Sequence, residues 1–455
     1  MLTSTLRRTL AVTGVTALTG IGLAVSTPAA EAKPRPQTTA VLDWNAEAGR
    51  AAVIACISPT TDAPHEARMY AMASLAVHDA LNAIDRRSEF YAQPFRAPAW
   101  ASVDAAVAAA SRDTLIPGLR AVTGPFVPCL DAAVADVESY YAAKVAAIPD
   151  GPAKTAGLNA GHQAAAAIVA RRAHDGSDTL LVDSAFPEGT TPGAYRFTPG
   201  SPFAFAPEWG NVTPFAIRSA TQFQSAPPLP LTSARYARDL NEVKAYGGDG
   251  VTTPSRRSPW QTEVAHFWWE SSPLMWDSIA RTLSTDRHLD PWSQARLLAL
   301  LNITLADGYI AVLAEKYDYL FWRPVTAIRL ADQDGNPATA ADLTWTPLEI
   351  TPAIPDHPSG HSIEGGGAAG VFQTFFGTDR MHFTACSTTV STGDGTCDSA
   401  HPIVHHFSSF SQAASENAES RILIGFHFRY ATQVGTSEGL SMGHWTASHW
   451  LRPTR

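Results

Sequence analysis

The sequence predicts an all-α protein, built of packed helical bundles with long proline-rich connecting loops. Three observations lead there. Alanine, leucine and methionine recur at helical spacing through most of the chain. Runs that alternate apolar and polar residues, as strands do, are sparse. The 33 prolines crowd most densely between the periodic segments.

The first periodic segments cover residues 65–84, 102–115, 129–147 and 156–173. Residues 186–232 then change character, with prolines, glycines and aromatics close together and Pro227-Pro228-Leu229-Pro230 near the end. Disordered linkers seldom hold so many aromatics, so this stretch is expected to be an ordered connection laid over the surface. Helices resume at 233–245, 261–270 and 291–319, the last ending close to Arg323. After a turn region over 332–346, further helices are expected from His361, His405 and Gly435. Phe267-Trp268-Trp269, Trp260 and Trp276 are expected in the core. No internal repeat is evident, and 455 residues suit one large domain or two smaller ones. The expected division is a leader over 1–32, an N-terminal helical region over 33–245 and a C-terminal bundle over 246–455.

The leader reads as a secretory signal. Arg7 and Arg8 precede a weakly apolar stretch, and Ala30-Glu31-Ala32 has the small-x-small form of a cleavage site. The arginine pair leaves both the general and the twin-arginine route open. No other stretch is expected to cross a bilayer, so no integral span should remain after cleavage. An extracellular location suits four cysteines. Cys386 and Cys397 bracket a polar loop and are expected to pair, leaving Cys56 with Cys129. A short loop closed in this way gains roughly 2–3 kcal/mol.

A net charge of −9 gives no reason to expect nucleic acid or an acidic membrane as partner. Against that acidic background, the last third of the chain collects an ordered set of oxyanion-binding residues. Lys316 and Arg323 are seven apart, which on one helix would place them on a shared face. Ser359-Gly360 follows a proline and opens a small-residue stretch, the setting in which a helix N-terminus offers free N–H groups to an anion. Arg421 and His427 converge only if the arginine reaches across or the helix loosens near Gly425. His361 could act as acid or base near neutral pH.

Lys316…Arg323-Pro324, Pro358-Ser359-Gly360-His361 and Ser420-Arg421…His427 together resemble the three-block signature of the vanadium-dependent haloperoxidase and type 2 acid phosphatase superfamily. Diffuse likeness to its secreted bacterial haloperoxidase-like branch continues over Met72–Ile84 and Trp209–Gly247. The resemblance implies a haloperoxidase-like all-α fold with its catalytic bundle at the C-terminus. It also implies a haem-free enzyme that oxidises halide with hydrogen peroxide at a vanadate bound through His427, acting on an organic acceptor. Lys316, Arg323, Ser359, Gly360 and Arg421 would complete the anion shell, with His361 as proton-transfer group. Phosphate can occupy the same shell. An alternative is a secreted acid phosphatase acting through a phosphohistidine at His427, and another is an oxyanion-binding protein without turnover.

Two departures stand out. The family aspartate four residues after the histidine is Ala431 here. That leaves the imidazole without its usual brace unless a backbone carbonyl or Asp307 supplies one. A vanadate enzyme, which keeps its histidine bond throughout, should tolerate the loss better than a phosphatase. Leu313 and Ile354 stand where fungal chloroperoxidases carry aromatics. His357 is a candidate for the outer shell. Asp332, Asp334 and Asn336 read as a surface turn rather than a calcium loop, since Pro337 replaces the required glycine.

Overall fold

The computed structural model describes residues 38–122, 127–390 and 397–454; the expected leader lies outside the described residues. The N-terminal half supplies α1 (Ala40–Ile54), α2 (Ala63–Ile84), α3 (Val103–Ala121), α4 (Val127–Ala146) and α5 (Pro152–Arg172). The connection that follows carries β1 (Val182–Asp183), β2 (Ala204–Phe205) and a 3-10 turn, Trp209–Asn211. Then come α6 (Ala234–Tyr246), α7 (Pro259–Phe267), α8 (Ser272–Asp286), α9 (Pro291–Tyr319) and α10 (Pro324–Arg329). The last part holds α11 (Gly360–Phe376), β3 (Arg380–Cys386), β4 (Val404–Ser409), α12 (Phe410–Leu423) and α13 (Arg429–His449).

Local chemistry sets many of the starts. Asp62, Ser102 and Ser233 accept the backbone N–H three residues on, and Ser258 with Gln261 forms a reciprocal capping box. Asp290 caps α9 by accepting from Trp292 and Ser293, with Pro291 at the first helical position.

The fold is all-α as expected, with two small antiparallel ribbons added, β1–β2 and β3–β4. Residues at and after His405 form a strand rather than a helix. His405 and Phe407 point inward while Val404 and His406 point out, a period of two that pairs with β3. The last helix starts at Arg429, six residues before the expected Gly435. Helices α1, α8 and the short α10 were absent from the expectation. Trp268 and Trp276 are core residues, but Trp260 is 53% exposed and Trp269 is only half-buried.

α9 holds the two halves together, packing on α2 on one side and α11 on the other. It is long and apolar enough to cross a membrane, contrary to expectation, but 94% of its apolar window is buried within the protein. Its apolarity follows from being covered all round by other helices. The long connection is ordered and tied to α9: Asp307 accepts the N–H groups of Phe215, Ala216 and Ile217 at 2.6–2.8 Å, and Glu315 accepts from Ser225 at 3.0 Å. Both expected disulfides are present, with Cα–Cα distances of 5.9 Å for Cys56–Cys129 and 5.2 Å for Cys386–Cys397.

α11 and α13 pack backbone to backbone, because glycines face the contact. A Cβ on Gly439 would run into the carbonyl oxygen of Ile363, and one on Gly366 into that of Thr436. Neither obstacle is a flexible side chain, so Gly439→Ala should force the helices apart. We expect a loss of about 2–3 kcal/mol, at the upper end for overpacking, read as a lowered denaturant midpoint at unchanged slope. Stability equal to the parent would show that the two backbones can separate freely.

Candidate oxyanion site

Lys316 projects from the last turn of α9, which stops where Leu320 takes a left-handed conformation at φ 46°. Arg323 therefore does not share a helix with Lys316; it is the N-cap of α10. The turn at Leu320, and not helical periodicity, brings the two cations together. Both hold one short stretch of backbone. Lys316 Nζ donates to the carbonyls of Pro355 and Asp356 at 2.8 Å each, and Arg323 Nε donates to Ile354 at 2.7 Å. That stretch leads directly into Ser359 and α11.

Ser359 is the N-cap of α11, fully buried, with its N–H donating to Ala431 O at 3.1 Å and its hydroxyl accepting from Ser362 at 2.9 Å. It stands just behind the cavity wall, whereas Gly360 and His361 line the cavity itself. The last block folds as its glycine allows. α12 ends at Leu423, Gly425 turns at φ +89°, and the N–H groups of Phe426 and His427 both return to Arg421 O. Arg421 donates to Ser420 Oγ at 3.0 Å and to Trp268 O at 2.6 Å.

Lys316, Arg323, Gly360, His361, Arg421 and His427 thus share one cavity of about 460 Å³. Its polar end has a marked excess of positive charge. Lys316, Arg323 and Arg421 are each at most 1% exposed. Among the described residues no carboxylate comes within 4.0 Å of Lys316 or Arg421, and Arg323 meets only Asp356, at 4.0 Å. Burial, and then the neighbouring Arg323, push the Lys316 ammonium well below its usual value. Burial lowers Arg421 to about 9, still cationic at neutral pH. The ammonium and both guanidinia carry more N–H groups than these protein bonds use. A buried cluster of like charges is costly unless an anion compensates it. The donor set therefore fits a tetrahedral oxyanion such as vanadate or phosphate.

The brace on His427 comes from a residue outside the motif. Asp356 Oδ1 lies 2.8 Å from His427 Nδ1, although off the ring N–H direction, so the contact is one of charge more than an aligned hydrogen bond. Arg323 Nη1 approaches the other nitrogen, Nε2, at 3.0 Å. A guanidinium can only donate, and the same Nη1 lies 3.4 Å from Nδ1; the shorter contact places the lone pair on Nε2 and the proton on Nδ1, on the side of Asp356. Burial pushes Asp356 up to about 7, against the pull of Arg323 and Lys316; ionised or neutral, its carboxyl keeps an acceptor oxygen beside Nδ1. Burial, then Arg323 and Lys316, hold His427 well below its usual value and keep the ring neutral. Asp307 is not the brace, because both of its oxygens bind the 215–217 backbone. The sequence signal for Asp356 was its place directly before His357-Pro358-Ser359-Gly360-His361.

His361 Nε2 donates to Glu270 O at 3.1 Å, which leaves Nδ1 with its lone pair. Burial and Arg421 lower its pKa well below the usual value. His357 points away from the cavity, its Nε2 donating to Ala226 O at 2.8 Å. Leu313 and Ile354 both line the cavity. Phe203 and Phe205 of the long connection, together with Trp269, add wall that the sequence reading did not assign.

Behind Ser271, another lining residue, lies Glu66, which accepts from Ser271 Oγ at 2.5 Å and from Tyr70 Oη at 2.7 Å. Burial raises its carboxyl from 4.5 to about 8. The unfolded chain loses this proton first, so the stability carried by the neutral acid is complete below 4.5 and drains away as the pH rises toward 8. Glu66→Gln cannot ionise. Its melting temperature relative to the parent should climb from about pH 5 to about pH 8. A pH-independent difference would mean that Glu66 is ionised in the fold.

Comparisons with known proteins bear on the domain and the fold. Residues 296–454 match the family model described as the VCPO second helical-bundle domain. The vanadium chloroperoxidase of Curvularia inaequalis is 24% identical over 281 residues, which cover 50% of this chain. The match takes in 46% of that protein, so the chain spans about half the length of this relative. The crystal structure of the first bacterial vanadium-dependent iodoperoxidase superposes with a TM-score of 0.72 at 22% identity, over 93% of this chain and all of that one. A holo-type bacterial vanadium-dependent chloroperoxidase gives 0.67 at 16% identity, over 89% and 95% of the two chains. Residues 296–454 are thus a second helical-bundle domain of the vanadium haloperoxidase family, in a chain with the fold of the bacterial vanadium-dependent haloperoxidases.

Proposed function

We propose that this protein is a vanadate-dependent haloperoxidase that oxidises halide with hydrogen peroxide and is exported after cleavage of its leader. The observation that carries the reading is the buried excess of three cations converging on one neutral imidazole. Lys316, Arg323, Arg421 and the Gly360 N–H would hold the oxygens of vanadate, and His427 Nε2 would be its anchor. Bound vanadate supplies Lewis-acid activation of peroxide toward halide. His361, neutral with its lone pair at Nδ1, is set to take a proton from an incoming acid and to return it later. Leu313 and Ile354 desolvate that side of the site.

A second reading, a phosphomonoesterase working through a phosphohistidine, gains from Asp356. The missing brace no longer argues against it, because Asp356 can support a ring that must form and break a bond in each cycle. Two assays separate the readings: bromination of a phenol-type dye with vanadate and peroxide, and hydrolysis of an aryl phosphate without vanadate. Vanadate-dependent bromination is expected. Hydrolysis alone would transfer the proposal to the phosphatase, and neither activity with tight phosphate binding would leave an oxyanion-binding protein.

A further inference from the structure

α7 ends at Phe267 and α8 begins at Ser272, and the residues between them, 268–271, form a short irregular strap along the candidate site. Trp269 and Ser271 line the cavity. The strap also holds two side chains of the site by its carbonyls. Trp268 O accepts from Arg421 at 2.6 Å, and Glu270 O accepts from His361 Nε2 at 3.1 Å. An irregular segment has no ladder of its own to fix such carbonyls, so their aim depends on what anchors it from outside. Trp268 has its own anchor, its indole N–H donating to Glu416 at 3.0 Å.

Glu270 is anchored through its side chain, which is buried but does not line the cavity. Its Oε2 accepts the Thr388 N–H at 2.6 Å and the Ser387 hydroxyl at 3.0 Å. Both donors lie in the segment that follows β3. That segment is itself held: Cys397 N–H donates to Ser387 O at 3.1 Å beside the Cys386–Cys397 disulfide, and Thr389 Oγ1 donates to His266 O at 2.9 Å. The length of the glutamate side chain thus sets how far the strap stands from 387–389.

We infer that Glu270 is a positioning residue: its carboxyl ties the strap to 387–389 and so aims its own backbone carbonyl at His361 Nε2. The consequence for turnover rests on the haloperoxidase reading. A carbonyl can only accept, so this contact keeps the proton on Nε2 and the lone pair on Nδ1. Glu270 thereby acts on the proton-transfer group without touching the anion. With the tie cut, the carbonyl drifts and the two ring nitrogens share the proton.

The test uses the full chain with its histidine ring nitrogens labelled, in saturating inorganic phosphate, and reads the His361 tautomer by heteronuclear NMR. The His361→Ala spectrum assigns the signal, and phosphate binding by calorimetry reports that each variant is folded. In the parent the two ring nitrogens should give well-separated shifts. Glu270→Ala should draw them together, and so should Glu270→Asp, which keeps the charge but shortens the reach. Glu270→Gln, which keeps both the length and an acceptor oxygen, should retain the parent pattern. A parent-like tautomer in Glu270→Ala, or in Glu270→Asp if the alanine variant does not fold, overturns the inference whatever the rates. In the bromination assay Glu270→Ala should lower turnover about 10–100-fold at unchanged vanadate affinity. It should add little in a His361→Ala background, and full additivity there also overturns the inference. Averaged shifts in the variants of a protein that brominates nothing support the positioning role, and only the haloperoxidase reading then fails.

Discussion

His427→Ala should abolish retention of vanadate through gel filtration or dialysis, while His361→Ala should retain it. His427 presents its Nε2 lone pair to Arg323 in the cavity that Lys316 and Arg421 also line; without it the shell holds the anion by charge and hydrogen bonds alone. Loss of one preorganised group at such a site typically costs about 10²–10³-fold in rate, and loss of the anchor should reach at least that. His361 is held apart by its bond to the Glu270 carbonyl, so its removal takes away a proton-transfer group worth about 10²–10⁴-fold in turnover. Bound vanadium and rate therefore separate in the two variants. Equal vanadium content in His427→Ala and the parent would refute the anchor assignment, whatever the activity.

Asp356→Ala should weaken oxyanion binding by about 10–100-fold, as expected for loss of the group that orients a ligating histidine. The buried Arg323 also loses the one carboxylate near it among the described residues, so stability should fall as well, by about 3–5 kcal/mol if the charge remains unpaired. Asp356→Asn keeps an acceptor near Nδ1 without the charge and should be intermediate in binding. The structure reverses one expectation from the sequence. Ala431→Asp is expected to bring no gain, because His427 is already paired and the void beside Ala431 and Asp356 is only about 10 Å³. In an Asp356→Ala background the same change should recover part of the lost affinity, since a carboxylate is again available. Oxyanion titration of the four proteins gives the coupling directly. Improved binding in Ala431→Asp alone, or strict additivity in the double variant, would sink the role given to Asp356.

Much of the site was legible because its chemistry is local in sequence. Cations, the small residues at a helix start and the two histidines occur in short blocks whose order survives any arrangement in space. Gly425 was legible as one of two ways for Arg421 and His427 to meet, and the left-handed turn that favours glycine is the one the fold uses. Less legible was the strand at Val404–Ser409, where two inward positions alternate too briefly to outweigh a helical reading of the segment. α9 misled in a different way. A helix buried on every side has the same composition as one in lipid, and only its neighbours distinguish the two.

By itself, the sequence determined the helical class, the disulfide pairs and the set of charged groups that needed an anion, because residue type and short-range spacing carry that information. Tertiary structure alone decided how those groups meet. It replaced a shared helical face by the turn at Leu320, and drew Asp356 to His427 across 71 positions of sequence. It also folded Phe203 and Phe205 over the cavity from a connection with no periodic signal. Those contacts depend on where distant backbones come to rest once the core has packed, and no local pattern records that.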